Sequence, residues 1–238
     1  MEIQTLSLIS GARRARGLTV IIDVFRAFTL ECYMAAGGAA AIHPVGAVEE
    51  AFALRRAHPD WLLAGERGGA KVPGFDYGNS PWEIHRVDLT GRTVLHTTSA
   101  GTQGIVNAGA ETGGVTEIIT GSLVNADAVI SYIKEQDPAV VSLVCMGNAG
   151  TRYAEEDALC ADYIRASLLG EAMDIRARAD ALRYTAGAKF FDPDNAIFPE
   201  GDFGLCVDVG RFDFVLRIET GADGLFTSVP VQVGKKDS

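Results

Sequence analysis

The chain has 238 residues, of which 47% are hydrophobic and 22% charged, and its formal net charge at pH 7 is −10. This apolar content supports a folded core, so a disordered or fibrous chain is excluded. The negative charge argues against a nucleic-acid binder and against a polybasic membrane-surface protein. The acidic excess lies after residue 110, because residues 1–110 contain 10 basic and 10 acidic side chains.

No apolar run is long enough to cross a bilayer, and the nearest, at 27–42, is interrupted by Glu31 and by a pair of glycines. At the N-terminus the basic residues follow the apolar ones, which is the reverse of a secretory signal. We therefore expect a cytoplasmic protein without a membrane partner. The four cysteines are widely spaced and are predicted to be reduced thiols.

Short β-branched runs alternate with alanine-rich segments at helical spacing, which predicts an α/β fold with crossover connections. Strands are predicted at Leu18–Val24, Ala40–Val45, Trp61–Glu66, Thr93–Thr98, Glu117–Ser122 and Val140–Cys145. Helices are predicted at Val48–Ala57, Gly101–Ala108, Asn125–Gln136 and Glu155–Leu169.

After about residue 190 the pattern changes to turns and alternating strands, at Phe214–Glu219 and Ser228–Val233. We predict a single layered α/β/α domain over residues 1–233. Its sheet is expected to be mostly parallel or mixed, with antiparallel strands near the C-terminus. Residues 234–238 are predicted to form a flexible tail.

A carboxylate and an arginine follow the first of these predicted strands, which ends near Asp23 and is followed by Arg26. Open α/β sheets bind ligands beyond the carboxyl ends of their strands, so Asp23 is a candidate catalytic or metal-binding residue and Arg26 a candidate anion ligand. The alternative is that Asp23 caps a helix and that Arg26 is its ion-pair partner.

The segment 65–81 contains five glycines and four charged residues without periodicity. Long loops inside compact domains are usually functional. Arg67 offers a planar fork for phosphate or carboxylate, Lys71 offers a compact cation, and Glu66 would ligate a hard cation or orient Arg67. Asn79 lies in the same segment. The alternative is a glycine-rich surface turn with solvated charges.

Two more predicted strands end in glycine-rich turns that lead into helices. The first turn contains Thr98, Ser99 and Gly101, and the second contains Asn148. Helix N-termini reached through such turns bind anions, although each turn alone is an ordinary helix cap more often than a site. Two turns together with the 65–81 loop favour a phosphate site.

The acidic run 155–157 follows the second turn. Mg²⁺ takes one or two carboxylates and completes its shell with water and substrate phosphate, so Asp157 with Asp23 or Glu66 would suffice. The other two acids of the run equally suit the helix dipole. The four histidines show no paired metal spacing, and we expect each to be a surface or filler residue.

These loops belong to five blocks of sequence: Ile-Asp23-Val-Phe-Arg26-Ala, the segment 64–81, Thr-Thr98-Ser-Ala-Gly101-Thr, Gly121-Ser-Leu-Val-Asn125-Ala and Glu156-Asp157-Ala-Leu-Cys160-Ala. Together and in this order, the blocks resemble the 2-phosphosulfolactate phosphatases of coenzyme M biosynthesis. The segment Asp202-Phe203-x-x-Cys206 is similar too, so the resemblance covers most of the chain.

The resemblance implies a magnesium-dependent phosphatase on an α/β fold peculiar to the family. Its partner would be a small anionic phosphorylated 2-hydroxy acid, hydrolysed in the case of 2-phosphosulfolactate to sulfolactate and phosphate, and a homodimer is implied. Two alternatives stay open: a non-catalytic binder of such an acid, and a related phosphoryl-transfer or elimination enzyme on the same fold.

The predicted site then has three groups of residues. The catalytic group is Asp23, Arg26, Arg67 and Lys71. The substrate-binding group is Thr98, Ser99, Gly101, Asn79 and Asn148. The Mg²⁺ ligands are expected among Asp23, Glu66 and Asp157.

Overall fold

The computed structural model describes residues 1–234 and contains two β-sheets. The larger sheet has six strands: β1 (Glu2–Ser7), β2 (Gly17–Ile22), β7 (Val115–Gly121), β8 (Val140–Cys145), β9 (Phe214–Thr220) and β10 (Phe226–Gln232). Their spatial order is β1-β8-β2-β7-β9-β10. The first four strands in this order are parallel, whereas β9 and β10 are antiparallel to their neighbours.

The smaller sheet has four strands: β3 (Ala41–Pro44), β4 (Leu62–Arg67), β5 (Ala70–Lys71) and β6 (Thr93–Thr97). Their spatial order is β3-β6-β4-β5, and only β5 is antiparallel to its neighbour. The mixed α/β prediction is therefore confirmed, including the antiparallel strands near the C-terminus. The strands are divided between two sheets, where the sequence pattern indicated one.

Nine α-helices connect the strands in the described residues: α1 (Leu8–Arg13), α2 (Ala27–Ala36), α3 (Val48–Ala57), α4 (Pro81–Ile84), α5 (Gly101–Asn107), α6 (Ala126–Gln136), α7 (Glu155–Leu169), α8 (Ile175–Ala181) and α9 (Glu200–Cys206). Within residues 1–234, none combines the length and the apolar composition that a bilayer crossing requires. The four cysteines are buried free thiols, as expected.

The central strand β2 is covered on both faces, which explains its continuous apolar sequence. Val20 and Ile22 pack in the core cluster that α6 and α7 complete. Ile21 points to the other face and packs with Phe28 of α2 and Ile105 of α5. Successive strand residues face opposite sides of a sheet, so the helices form a layer on each side.

The two sheets contact each other through β3 and β10. Nδ1 of His43 lies 3.0 Å from the carbonyl oxygen of Phe226 and 3.1 Å from Oγ1 of Thr227. Nothing in this contact tests the single domain predicted over residues 1–233, which stays a prediction. The predicted tail lies outside the described residues except for Gly234.

Candidate active site

A cavity of about 800 Å³ lies beyond the carboxyl ends of four parallel strands. The strands are β2 and β8 of the six-stranded sheet and β4 and β6 of the four-stranded sheet. Phe198 and residues 185, 186 and 189 close the remaining side. Six predicted site residues line the cavity: Asp23, Arg26, Glu66, Asn79, Ser99 and Asn148. Five do not: Arg67, Lys71, Thr98, Gly101 and Asp157.

Asp23 is a buried carboxyl group directly after β2, and its side chain is 7% exposed. Its Oδ1 accepts a hydrogen bond of 3.2 Å from the N–H of Ala27, at the start of α2. Burial raises the pKa of Asp23 to about 7; the Ala27 hydrogen bond opposes this rise, and the nearby charges of Glu66 and Glu156 add to it. Asp23 therefore exchanges its proton near neutral pH, which suits proton transfer.

Gly101 lets the backbone of α5 approach Asp23 closely. A Cβ atom at this position would lie 2.9 Å from Cβ of Ala27 and 3.0 Å from Oδ2 of Asp23. Gly101 thus shapes the wall behind the carboxylate, although it does not line the cavity. Thr98 is buried beside it, and its Oγ1 accepts the N–H of Thr102 at 3.1 Å.

Arg26 lines the cavity, and much of its hydrogen-bonding capacity is already used. It forms a buried ion pair of 2.8 Å with Asp202 and donates to the carbonyl oxygens of Gly69 and Ile197. Its guanidinium carbon lies 4.5 Å from the ring centroid of Phe198. The sequence alternative for Arg26 named Asp23 as the ion-pair partner, but the partner is Asp202. Arg26 holds the C-terminal segment against the cavity.

Glu66 accepts hydrogen bonds with both carboxylate oxygens. Oε1 receives the N–H of Ser99 at 2.6 Å, and Oε2 receives the N–H of Gly69 at 2.6 Å and Oγ of Ser99 at 3.1 Å. Glu66 therefore ties the loop after β4 to the loop after β6.

Arg67 and Lys71 lie away from the cavity. Successive residues of a strand point to opposite sides, so Arg67 faces away from the side that Glu66 occupies. Arg67 donates to the carbonyl oxygen of Gly46 and to Oγ1 of Thr97. Lys71 is exposed on β5. The cations predicted to clamp phosphate are thus not brought to the cavity.

Both carboxylate oxygens of Asp157 accept hydrogen bonds from backbone N–H groups. Its Oδ1 accepts the N–H of Val24 at 2.8 Å, and its Oδ2 accepts the N–H of Gly147 at 2.7 Å. Burial, together with the charges of Asp23 and Glu156, raises the pKa of Asp157 well above its usual value. Its observed contacts join the loops after β2 and β8.

Glu156, one residue earlier in α7, lines the cavity and is 2% exposed. Its Oε2 has no hydrogen-bond partner among residues 1–234. Burial raises the pKa of Glu156, and the positive charge of Lys189 opposes this rise. Consecutive helix residues point about 100° apart, so the acids of the 155–157 run differ in position: Glu155 lines the cavity as an exposed side chain, Glu156 lines it as a buried one, and Asp157 is not part of the lining. From the sequence alone, an interaction of Glu156 with the dipole of α7 suited this residue as well as a role in the site did.

No three His, Cys, Asp or Glu side chains in the described part of the chain are grouped closely enough to hold a metal ion. The three carboxylates named as candidate ligands therefore do not form a joint cage. Two residues of the lining instead have a carboxylate oxygen that accepts no hydrogen bond from residues 1–234, namely Asp23 through Oδ2 and Glu156 through the buried Oε2. Two carboxylates with substrate phosphate and water are a normal protein environment for Mg²⁺.

Two loops that line the cavity carry backbone N–H groups without a described hydrogen-bond partner. Ala100, after β6, and Ala149, after β8, line it, and their N–H groups have no hydrogen-bond partner within residues 1–234. Ala149 adopts a left-handed conformation with φ of 53° between two glycines of the turn. The side chain of Asn148 also lacks a described partner. Unpaired N–H groups and amides in such turns bind anionic oxygens.

Two cations of the cavity lining were absent from the predicted site, Arg152 and Lys189. Arg152 is exposed at the end of the loop before α7. Lys189 lies between the block that begins at Glu156 and the segment 202–206, in a stretch with no motif of its own. Only the packing of this segment against α9 and the β2 loop reveals it.

His96 corrects the expectation that the histidines are surface or filler residues. It is completely buried; Nδ1 lies 2.8 Å from Oε1 of Glu31, and Nε2 lies 3.1 Å from Oδ1 of Asn79. The second carboxylate oxygen of Glu31 accepts Oγ of Ser228 at 2.8 Å. Asn79 reaches the cavity, so this buried network holds a lining residue in place. A Glu in an otherwise apolar helix was the only sequence signal for it.

The chain is similar in sequence to one described family and to several of its named members. The family described as 2-phosphosulpholactate phosphatase matches residues 3–197. A Bacillus subtilis (strain 168) protein named probable 2-phosphosulfolactate phosphatase is 30% identical over 208 residues, which are 85% of this chain and 87% of that protein.

Two further relatives carry the same name. The one from Caldanaerobacter subterraneus subsp. tengcongensis is 31% identical over 221 residues, covering 85% of this chain and 88% of the relative. The one from Carboxydothermus hydrogenoformans is 40% identical over 153 residues, covering 64% of this chain and 60% of the relative.

Proposed function

This chain belongs to the 2-phosphosulfolactate phosphatase family, and we propose that it is a magnesium-dependent phosphatase that hydrolyses 2-phosphosulfolactate to sulfolactate and phosphate. More broadly, we propose that its substrates are phosphate monoesters of small 2-hydroxy carboxylic acids. One observation carries the proposal: two buried carboxylates with unpartnered oxygens share a cavity with unpartnered backbone N–H groups.

The charges of this cavity suit a phosphate monoester bound together with a cation. Asp23 and Glu156 would repel a phosphate if both were ionised and nothing lay between them. A divalent cation removes this conflict, since it is attracted by both carboxylates and by phosphate oxygens. When bound, Mg²⁺ would supply Lewis-acid stabilisation of negative charge on the phosphoryl group and the leaving oxygen.

The chain itself would position the phosphoryl group. Ala100 and Ala149 would donate their N–H groups to phosphoryl oxygens, and Asn148 would add a side-chain amide. Arg26 would keep the wall of the cavity in place through Asp202, and Glu66 would do the same for the loops after β4 and β6. Such rigid donors stabilise charge without reorganising during the reaction.

Asp23 would carry out the proton or nucleophile chemistry. It would either attack phosphorus to form an aspartyl phosphate or take a proton from the attacking water, and its pKa of about 7 suits proton exchange at neutral pH. Borohydride reduction of the enzyme during turnover separates the routes. An aspartyl phosphate yields homoserine at position 23, detectable by mass spectrometry, and attack by water leaves the residue unchanged.

The proposal is tested by measuring phosphate release from racemic 2-phosphosulfolactate and 2-phospholactate, with Mg²⁺ and with EDTA. We expect turnover with Mg²⁺ and its loss with EDTA. Asp23→Asn should lose at least about 100-fold in kcat, whereas the exposed Asp60→Asn should match the wild type.

Equal and negligible turnover in both conditions would refute the proposal. Tight, metal-independent binding of the substrate without phosphate release would identify a non-catalytic binder instead. Phosphorus NMR together with analysis of the organic product would distinguish hydrolysis from elimination.

A further inference from the structure

Lys189 occupies an aromatic corner of the cavity. It lies in the short 3-10 turn Ala188–Phe191, is half-buried, and lines the cavity. Its Nζ lies 5.5 Å from the ring centroid of Phe25, 5.4 Å from that of Phe190 and 5.0 Å from that of Phe198. Three aromatic rings around one ammonium group stabilise its positive charge, but they carry no negative charge that would neutralise it.

The ammonium group has no ion-pair partner in the described part of the chain. No carboxylate oxygen of residues 1–234 lies within 4.0 Å of Nζ of Lys189. Arg26, a neighbouring cation of the lining, is already neutralised by Asp202 at 2.8 Å. The charge of Lys189 acts on Glu156 of the same lining, but the two side chains form no ion pair within 4.0 Å, so this half-buried cation remains suited to receive an anionic ligand.

The chemistry of the surroundings selects among the anionic groups of the substrate. A planar carboxylate is bound best by the double hydrogen bond of an arginine. A sulfonate is tetrahedral, spreads its charge over three oxygens and is less strongly hydrated than a carboxylate, so it loses less on entering an aromatic pocket. A compact ammonium group needs no planar geometry from its partner.

We propose that Lys189, together with the lining residues Phe25 and Phe198, forms the subsite for the sulfonate group of the substrate and thereby determines its specificity, while the buried Phe190 packs against both rings and supports them. This inference rests on the proposed function, since it assigns one substrate group to one part of the same cavity. The phosphoryl group is held elsewhere, beside Asp23 and the backbone N–H groups of Ala100 and Ala149.

The test compares two substrates that differ by the sulfonate alone. 2-Phospholactate has a hydrogen in place of the sulfonate of 2-phosphosulfolactate. We expect Lys189→Met to reduce the ratio of kcat/KM for 2-phosphosulfolactate to kcat/KM for 2-phospholactate by about 10- to 100-fold, the effect of losing one charged hydrogen bond. Lys189→Arg, which keeps the charge, should recover part of the ratio.

Lys134→Met is the matched control, because Lys134 is exposed on α6 and is not part of the cavity lining. Its substrate ratio should equal that of the wild type. Circular dichroism establishes that each variant is folded, and Lys189→Gln replaces Lys189→Met if the latter unfolds. A parallel loss on both substrates, or an unchanged ratio, would overturn the sulfonate subsite while leaving the phosphatase function intact.

A binding measurement separates failure of the subsite from failure of the proposed function. Calorimetry with 3-sulfolactate in the presence of Mg²⁺ requires no turnover, and Lys189→Met should weaken its binding by about 10-fold or more. If the wild type hydrolyses neither substrate yet binds 3-sulfolactate in a Lys189-dependent way, the function is wrong and the subsite stands. If binding is independent of Lys189, the subsite is wrong.

Discussion

At the scale of single residues, the site is built from carboxyl groups that the fold removes from water. Asp23, Glu156 and Asp157 are each at most 7% exposed, and burial raises the pKa of all three. Only Asp157 has both oxygens bonded to backbone N–H groups. When ionised, Asp23 and Glu156 lower the stability of the fold because each is a buried negative charge. A bound cation would offset this loss, so stability and metal binding should be linked.

The free-energy cost of ionising the buried Asp23 predicts how the stability of the protein depends on pH. In the unfolded chain Asp23 ionises near its ordinary value of 3.8, and in the folded protein near 7. Between these values the folded state holds more protons, so the free energy of unfolding falls as pH rises, by roughly 4 kcal/mol in total. In EDTA we expect Asp23→Asn, which does not ionise, to have a higher Tm than the wild type at pH 8 and a similar Tm near pH 4.

Thermal melts across this pH range, read by circular dichroism, check the prediction. Asp60→Asn serves as the control because Asp60 is exposed and is not part of the cavity lining. A difference between Asp23→Asn and the wild type that does not change with pH would contradict the assignment of the cost to an ionised Asp23.

Glu156 makes a prediction about metal binding. Replacing it by Gln removes one charge and one of the two oxygens that lack a partner, so Mg²⁺ affinity should fall by at least about tenfold. Titration calorimetry with MgCl2 measures the affinity directly. Glu171→Gln, an exposed change just beyond α7, is the control. Equal affinity in Glu156→Gln and the wild type would show that Glu156 does not hold the cation.

At the scale of elements, the C-terminal segment is fastened to the cavity by one ion pair. Asp202 of α9 is completely buried; its Oδ2 binds Arg26 and its Oδ1 accepts Oγ of Ser80 at 2.7 Å and the N–H of Trp82 at 2.9 Å. One carboxylate thus joins α9, the start of α4 and the loop after β2. This arrangement also positions the segment that carries Lys189.

Asp202→Asn should destabilise the protein by about 3–5 kcal/mol, since it leaves the buried guanidinium of Arg26 without its counterion. Urea unfolding measures the loss as a lower midpoint. Asp208→Asn, an exposed change just after α9, should shift the free energy of unfolding by less than about 0.5 kcal/mol. Equal midpoints for Asp202→Asn and the wild type would contradict the structural role of this ion pair.

Sequence periodicity predicted the elements well where each one shows a clear pattern. Val48–Ala57, Val140–Cys145 and Glu155–Leu169 have their predicted bounds, and the other predicted elements differ by two residues or fewer at each end. α2 was missed because eight of its ten residues are buried, including Thr29 and Glu31. A helix enclosed on all sides has no polar face, so no helical period marks it.

At the scale of the whole molecule, a buried polar network joins the two sheets. Glu31 of α2 is bonded to Ser228 of β10 in the larger sheet and to His96 of β6 in the smaller one. All three side chains are at most 3% exposed, so each bond lies in a low-dielectric environment. The homodimer, the cytoplasmic location and the single domain all stay predictions.

The single domain is tested by equilibrium unfolding. Trp61 packs with the smaller sheet, whereas Trp82 lies against Gly201 of α9, so in a Trp82→Phe background fluorescence follows the smaller sheet while far-UV circular dichroism follows both sheets. We expect coincident transitions. Ser228→Ala should lower the free energy of unfolding by about 1–3 kcal/mol as measured by either signal, because Glu31 loses one hydrogen-bond donor. Ser131→Ala is the exposed control. Separate transitions would show that the two sheets fold as independent units.

The sequence by itself determined the α/β class, the strand ends that border the cavity and the family, because these depend on local periodicity and on contiguous motifs. The tertiary structure decided which charges reach the cavity. Arg67 points away from the cavity because successive strand residues face opposite sides. Both carboxylate oxygens of Asp157 accept hydrogen bonds from backbone N–H groups of two loops. Lys189 was brought in from a segment without a motif. The net charge of −10 therefore says little about the site, since the direction of a side chain depends on packing between residues distant in the sequence.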